Sequence, residues 1–279
     1  MASTVSPTLP VLSRDRLTIG VAAVLVSVSI ASWGVVFYEM PMMPMMTMAS
    51  GGMMGVAALV SSTSPSAIGL FELIWVVGMA AMMFPAMIPI VTFYNRFSTK
   101  VESNPRLAKA VGTPLFLAGY LAVYAGLGIA VYLAVLLAVD ASSAVPSLAS
   151  VGYVAPGAVL ILAGAYQLSP RKSTFLMQCV SPMGFFTQHS HRGLVGSFTM
   201  GLAHGEYCVG CCWAYMLVMF AVALMSLPFM VVLSVVIALE KMVLRGAVWL
   251  TRGIAAGLVI LGVASLIFPG VLGLLSAGL

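Results

Sequence analysis

Charge is what this sequence has least of: only 7% of its 279 residues are Asp, Glu, Lys or Arg, against 62% hydrophobic. A soluble domain carries about a quarter charged residues, so the composition excludes an ordinary soluble fold and implies a membrane protein. Also lacking are a Gly-Lys-Ser/Thr phosphate loop, a dinucleotide fingerprint and a clear internal repeat. Their absence argues against ATP hydrolysis by this chain and against a duplicated transporter. The apolar runs lack the alternation of barrel strands, which leaves helices as the form in which lipid leaves no backbone group unsatisfied.

What is present is a series of long apolar segments. Seven of them, roughly 17–38, 69–94, 113–139, 153–169, 194–224, 228–243 and 247–268, approach the about 20 residues a helix needs to span a bilayer. The expected fold is an all-α, polytopic bundle of about seven transmembrane helices. All twelve basic residues fall in four regions: Arg14/Arg16, Arg96/Lys100/Arg106/Lys109, Arg171/Lys172/Arg192 and Lys241/Arg245/Arg252. Seven spans place these regions on one side, and by the positive-inside rule that side is cytoplasmic, with the C-terminus outside. The net charge of +5 is then a topological signal, and no nucleic-acid partner is needed to explain it. The chain divides into a cytoplasmic tail (1–16), a first anchor (17–38), an external loop (39–68) and a helical domain (69–270). The apolar run of the first segment exceeds a usual signal-peptide core, so it reads as a retained anchor.

The external loop contains MPMMPMMTMASGGMM, eight methionines in the fifteen residues from Met40 to Met54. Thioethers stay neutral, whereas thiols must deprotonate to bind and are lost to disulfides in an oxidising compartment. Met42, Met43, Met45 and Met46 are therefore candidate Cu(I) collectors. The plainer alternative is an oxidation-prone linker.

The fifth segment reads GLAHGEYCVGCCW from Gly201 to Trp213. At about 100° per residue, His204, Cys208 and Cys211 share one helical face, with Cys212 at its edge and Glu206 pointing away. Buried cysteine is often only a small hydrophobe, but a His with three cysteines on one membrane face points to a metal site. Thiolate and imidazole suit Zn²⁺ or Cu(I), and thioethers favour Cu(I). A second helix must complete the shell, and WVVGMAAMMFPAMIP offers Met79, Met82 and Met83 on one face, with Pro85 and Pro89 to kink it. A Met stripe is also common core filler. Cys179, with Met183, His189 and His191 in the cytoplasmic loop, forms a candidate handover site. Glu206 calls for a partner on a neighbouring helix, and Glu240-Lys241 reads as an interfacial ion pair worth little.

These motifs resemble the prokaryotic family of predicted metal-binding integral membrane proteins, domain of unknown function 2182. The resemblance rests on Trp75, Met79, Met82, Met83 and Pro85; on Tyr166, Gln167, Leu168, Pro170 and Lys172; on the run Gly201 to Trp213; and on Glu240-Lys241. One departure is Phe175, where relatives often carry a further Cys before Cys179. The resemblance implies metal binding without a settled reaction.

Together these readings describe a multi-pass protein of the cell's inner (plasma) membrane. It acquires, transfers or delivers Cu(I) as chaperone, importer or accessory subunit, with a copper-dependent membrane enzyme or a copper chaperone as partner. A second reading is a membrane thiol–disulfide oxidoreductase using Cys208 and Cys211, and a third is a structural subunit without metal. Against the second, the pair is mid-helix, where burial does not activate thiols and a disulfide fits poorly.

Overall fold

The structure, a computed structural model, describes residues 16–39, 65–101, 108–144, 154–223, 227–243 and 248–268. Every regular element among these residues is a helix. In chain order they are α1 (Arg16–Glu39), α2 (Pro65–Val101), α3 (Thr113–Ala144), α4 (Val154–Gln167), α5 (Pro170–Val180), α6 (Pro182–Gln188), α7 (Gly193–Ala223), α8 (Leu227–Ala238) and α9 (Val248–Ile267). A π-helical turn, Ala108–Gly112, leads into α3, and a second, Leu239–Val243, extends α8.

Among the described residues, four helices are long and apolar enough to cross a membrane: Thr18–Tyr38, Pro65–Ser98, Ala110–Leu137 and Val248–Ile267. The other three expected segments lie on α4, α7 and α8 but are not among those four. At 14 residues, α4 rises about 21 Å, short of the about 30 Å of a hydrocarbon core. α7 has ample length at 31 residues and carries His204 and Glu206 within it. α8 keeps 12 α-helical residues before its π turn.

α2 is the central helix. Its apolar window is 72% buried, while those of α1, α3 and α9 are only 17–22% buried. Prolines inside it have a visible consequence. Pro85 has no N–H to give to the carbonyl of Ala81, four residues back. Ser29 of α1 supplies the missing donor, its Oγ donating to Ala81 O at 2.6 Å. Ser234 of α8 likewise donates to Met82 O at 3.4 Å. Thr18 accepts from Arg96 at 3.0 Å and ties α1 to the far end of α2.

Small residues set how closely the helices approach, as expected where lipid gives no hydrophobic drive to association. A Cβ on Gly119 of α3 would lie 2.2 Å from Phe198 O, and one on Gly201 of α7 would lie 2.0 Å from Phe116 O. Only glycine permits α3 and α7 to meet there. Beyond this crossing, Tyr120 and Tyr124 face the cysteine stripe of α7. α4 and α9 pair in the same manner, through Gly164 against Ala255 O and Gly262 against Gly157 O, each at 2.9 Å from a built Cβ.

Residues 170–193 were expected as a basic loop, and here 170–188 of them form two short helices folded back on α7. Each begins at a Ser-Pro pair. Ser169 accepts from Lys172 N at 3.2 Å, Ser181 accepts from Gly184 N at 3.3 Å, and Pro170 and Pro182 sit where a missing N–H costs nothing. The Phe175 ring stands where a side chain on Gly210 would, 2.7 Å from a built Cβ. Phe185 meets the His204 ring edge-on at 5.2 Å between centroids.

Candidate metal centre

Regular helical spacing places His204, Cys208 and Cys211 on the inward face of α7, and each is no more than 3% exposed. Cys212 is equally buried. The thiols of Cys211 and Cys212 both donate back to Cys208 O, at 3.1 and 2.8 Å, the usual local satisfaction of a helical cysteine. Cys208 Sγ is different. Lys241 Nζ lies 2.8 Å from it, Tyr124 Oη donates to it at 3.2 Å, and Tyr120 Oη is also 3.2 Å away. Tyr124 also reaches Cys212 Sγ at 3.7 Å.

The third thiol comes from a separate segment. α5 brings Cys179 Sγ to 3.7 Å from Cys211 Sγ. The ligand atoms of Cys179, Cys208 and Cys211 all lie within 4.8 Å of one another. A metal about 2.3 Å from each of three sulfurs holds them about 4 Å apart, so the group needs only slight contraction to close on an ion. All four cysteines are free thiols. The donor set is soft, with no carboxylate in it, and suits Cu(I) or Zn²⁺ over Mg²⁺ or Ca²⁺. Cys179 is thus a member of the main cluster, which corrects its expected place in a separate loop site. Of its expected companions, Met183 and His191 are exposed and point elsewhere. His189 stacks on Phe185 at 5.0 Å and approaches Tyr207 Oη at 3.4 Å.

α5 is held in place by charge. Lys172, fully buried, forms an ion pair with Glu240 of the π turn. The same carboxylate accepts from Tyr215 Oη at 3.3 Å and from Thr251 Oγ1 at 3.0 Å. Glu240 and Lys241 are 2% and 7% exposed, so the interfacial pair expected of them is corrected. They are buried and serve opposite sides: Glu240 anchors α5 and α9, and Lys241 meets the thiol cluster. A π turn is a common way to re-aim side chains at a site, and this one separates two adjacent charges.

His204 stands one turn from Cys208, outside the three-sulfur group, between the rings of Phe116 and Tyr120 at 6.1 and 6.0 Å. Its Nδ1 is buried without a hydrogen-bond partner. Met79, Met82, Met83 and Met87 are all at most 2% exposed and lie in the same apolar core as the cysteines. Met42, Met43, Met45 and Met46 lie outside the described residues. Glu206 is exposed on the outer side of α7. Sequence reasoning gave no place in the site to Tyr120, Tyr124, Lys172 or Lys241, although it singled out both lysines. The two lysines carried a signal, because a cation embedded in a chain this apolar usually has a buried partner.

Fold and site together define a helical protein with spans able to cross a membrane and a largely buried thiol cluster fitted to a soft metal ion. The chain belongs to the PpoB2 family, described as a copper chaperone, whose model matches residues 72–265. That match supports the metal-binding character implied by the resemblance stated above, under a different family name. No curated protein and no solved structure matches the chain.

Proposed function

We propose that this protein is a multi-pass inner-membrane copper chaperone that holds Cu(I) at Cys179, Cys208 and Cys211 and passes it to a membrane copper enzyme. The observation that carries the reading is the convergence of three thiols, the half-buried Cys179 and the buried Cys208 and Cys211, from two separate segments, α5 and α7. One helix cannot surround an ion, and chance packing has little reason to bring a cysteine of α5 to 3.7 Å from one of α7. Membership of the copper chaperone family supplies the metal and the class of role. Copper is the cargo here, so the site must release it as well as bind it. α5 is the element suited to that exchange, being short and joined to the bundle through the Lys172–Glu240 pair.

In this reading seven helices span, the N-terminus is cytoplasmic, and the Met40–Met54 segment collects copper outside. Its support is the one-sided distribution of basic residues. Met79, Met82 and Met83 offer neutral soft ligands in the core that the thiols share, a route by which the ion reaches them. His204 and Cys212 flank the thiol group as further donors.

The test is anaerobic loading of purified protein with Cu(I) and, separately, Zn²⁺. Wild type should hold one tightly bound copper, and Cys208→Ser, Cys211→Ser and Cys179→Ser should each weaken it. Undiminished copper in Cys179→Ser would remove α5 from the site. A specific geometry favours a thiol–disulfide reading only in altered form, since Cys179 Sγ stands 3.7 Å from Cys211 Sγ and belongs to a different helix. Rapid oxidation of a Cys179–Cys211 pair with no copper bound would bring that reading forward.

A further inference from the structure

Cys208 has more polar company than a buried thiol needs. Three groups converge on its sulfur, and they differ in what else they can do. Tyr120 and Tyr124 have alternatives, being 3.5 Å from each other, with Tyr124 3.7 Å from Cys212 Sγ as well. Lys241 has none of that kind. The carboxylate next to it in sequence, Glu240, is already engaged by Lys172, Tyr215 and Thr251 on the other side of the π turn. Among the described residues, the sulfur of Cys208 is the partner of the Lys241 ammonium. An ion arriving at Cys208 can therefore displace the hydroxyls, which turn to each other, and leave the lysine in place.

The charge of the loaded centre makes that residence useful. A monovalent ion on three thiolates has a net charge of −2, and a divalent ion has −1. Both centres sit in the core, where uncompensated charge is costly. One ammonium reduces the first to −1 and the second to zero. Self-energy grows with the square of the charge, so losing the ammonium penalises the monovalent centre more than the divalent one.

We propose that Lys241 is a positioning residue for copper: a resident counter-cation, aimed by the π turn, that makes a three-thiolate centre accept a monovalent ion. This deepens the copper-site reading above and rests on it. It concerns the balance between Cu(I) and Zn²⁺, a quantity that loss of packing alone would not shift.

The experiment uses the full-length protein, purified anaerobically. Cu(I) affinity is read by competition with a chromophoric copper chelator, and Zn²⁺ affinity with a zinc chelator, for wild type, Lys241→Met, Lys241→Arg and Cys208→Ser. Lys241→Met should weaken Cu(I) by about 10–100-fold, the range for loss of a group that supports a metal ligand. Zn²⁺ should weaken less, so the Cu/Zn affinity ratio falls. Lys241→Arg keeps the charge and should keep the ratio. Equal losses for both metals in Lys241→Met, or a ratio that falls as far in Lys241→Arg, overturns the proposal. If Lys241→Met fails to fold, the arginine variant alone decides it. Wild-type copper affinity in Cys208→Ser overturns the underlying site instead, whatever the lysine variants do.

Discussion

Removing the two halves of the Lys172–Glu240 pair should have unequal consequences. Both side chains are buried, so deleting either leaves an isolated charge, a change that typically costs about 3–5 kcal/mol. The surroundings then separate the two cases. In Lys172→Met the carboxylate keeps two hydroxyl donors, Thr251 at 3.0 Å and Tyr215 at 3.3 Å. Hydrogen bonds to a charged group are worth about 1.5–3 kcal/mol, so these donors offset part of the loss. In Glu240→Gln the ammonium keeps an amide oxygen and the face of Tyr215, 5.2 Å from the ring centroid. That contact gives back about 2 kcal/mol when desolvated, less than two hydrogen bonds to a charge together. Glu240→Gln should therefore be the less stable variant by about 1 kcal/mol or more, and the double variant should be more stable than the sum of the two losses predicts. Chemical unfolding in a fixed detergent measures this. A larger loss in Lys172→Met, or strict additivity in the double variant, would refute the assignment of partners. Because Lys172 seats the helix that presents Cys179, both single variants should also bind Cu(I) more weakly than wild type.

Three further outcomes are expected. Gly119→Ala places a Cβ 2.2 Å from Phe198 O, so α3 and α7 must separate, with a loss of about 1–3 kcal/mol by unfolding. Copper affinity measured by chelator competition should fall in step, because Tyr120 and Tyr124 move with α3. Lowering the pH should release copper from wild type, since thiolates must lose protons to bind, and equilibrium dialysis across a pH series would show it; retention independent of pH would point to the methionines instead. A membrane-impermeant thiol reagent applied to intact cells should label no native cysteine from outside, and copper should protect Cys179, Cys208 and Cys211 after permeabilisation. Labelling of Cys179 from outside would invert the topology.

Much of the architecture was legible because long apolar runs have one stable form in a membrane. All seven expected segments lie on helices, and the facing of His204, Cys208 and Cys211 followed from helical periodicity alone. The site was only half legible, for reasons that are physical. α5 and α6 are short, and α5 carries Arg171 and Lys172, so nothing in their composition separates a packed helix pair from a loop; only their Ser-Pro starts hint at helices. Cys179 was misplaced with them. Glu240-Lys241 misled differently. Adjacent opposite charges at a helix end usually face water, and the π turn that sends them in two buried directions has no distinctive sequence signal. The tyrosines lacked any marker, since aromatic residues are ordinary in a bundle until a sulfur is found opposite them.

The hydroxyl of Ser29 on a carbonyl left bare by Pro85 has a practical consequence. The region shared with the copper chaperone family begins at residue 72, well after α1 ends at Glu39. Trimming an expression fragment to the shared region would look harmless on paper, yet it would strip the central helix of the group that completes its ladder beside Met82 and Met83. The exposed peptide oxygen would then face hydrocarbon with no water to serve it. α1 thus works as a splint, its Ser29 hydroxyl bracing α2 where Pro85 leaves a carbonyl without its helical donor.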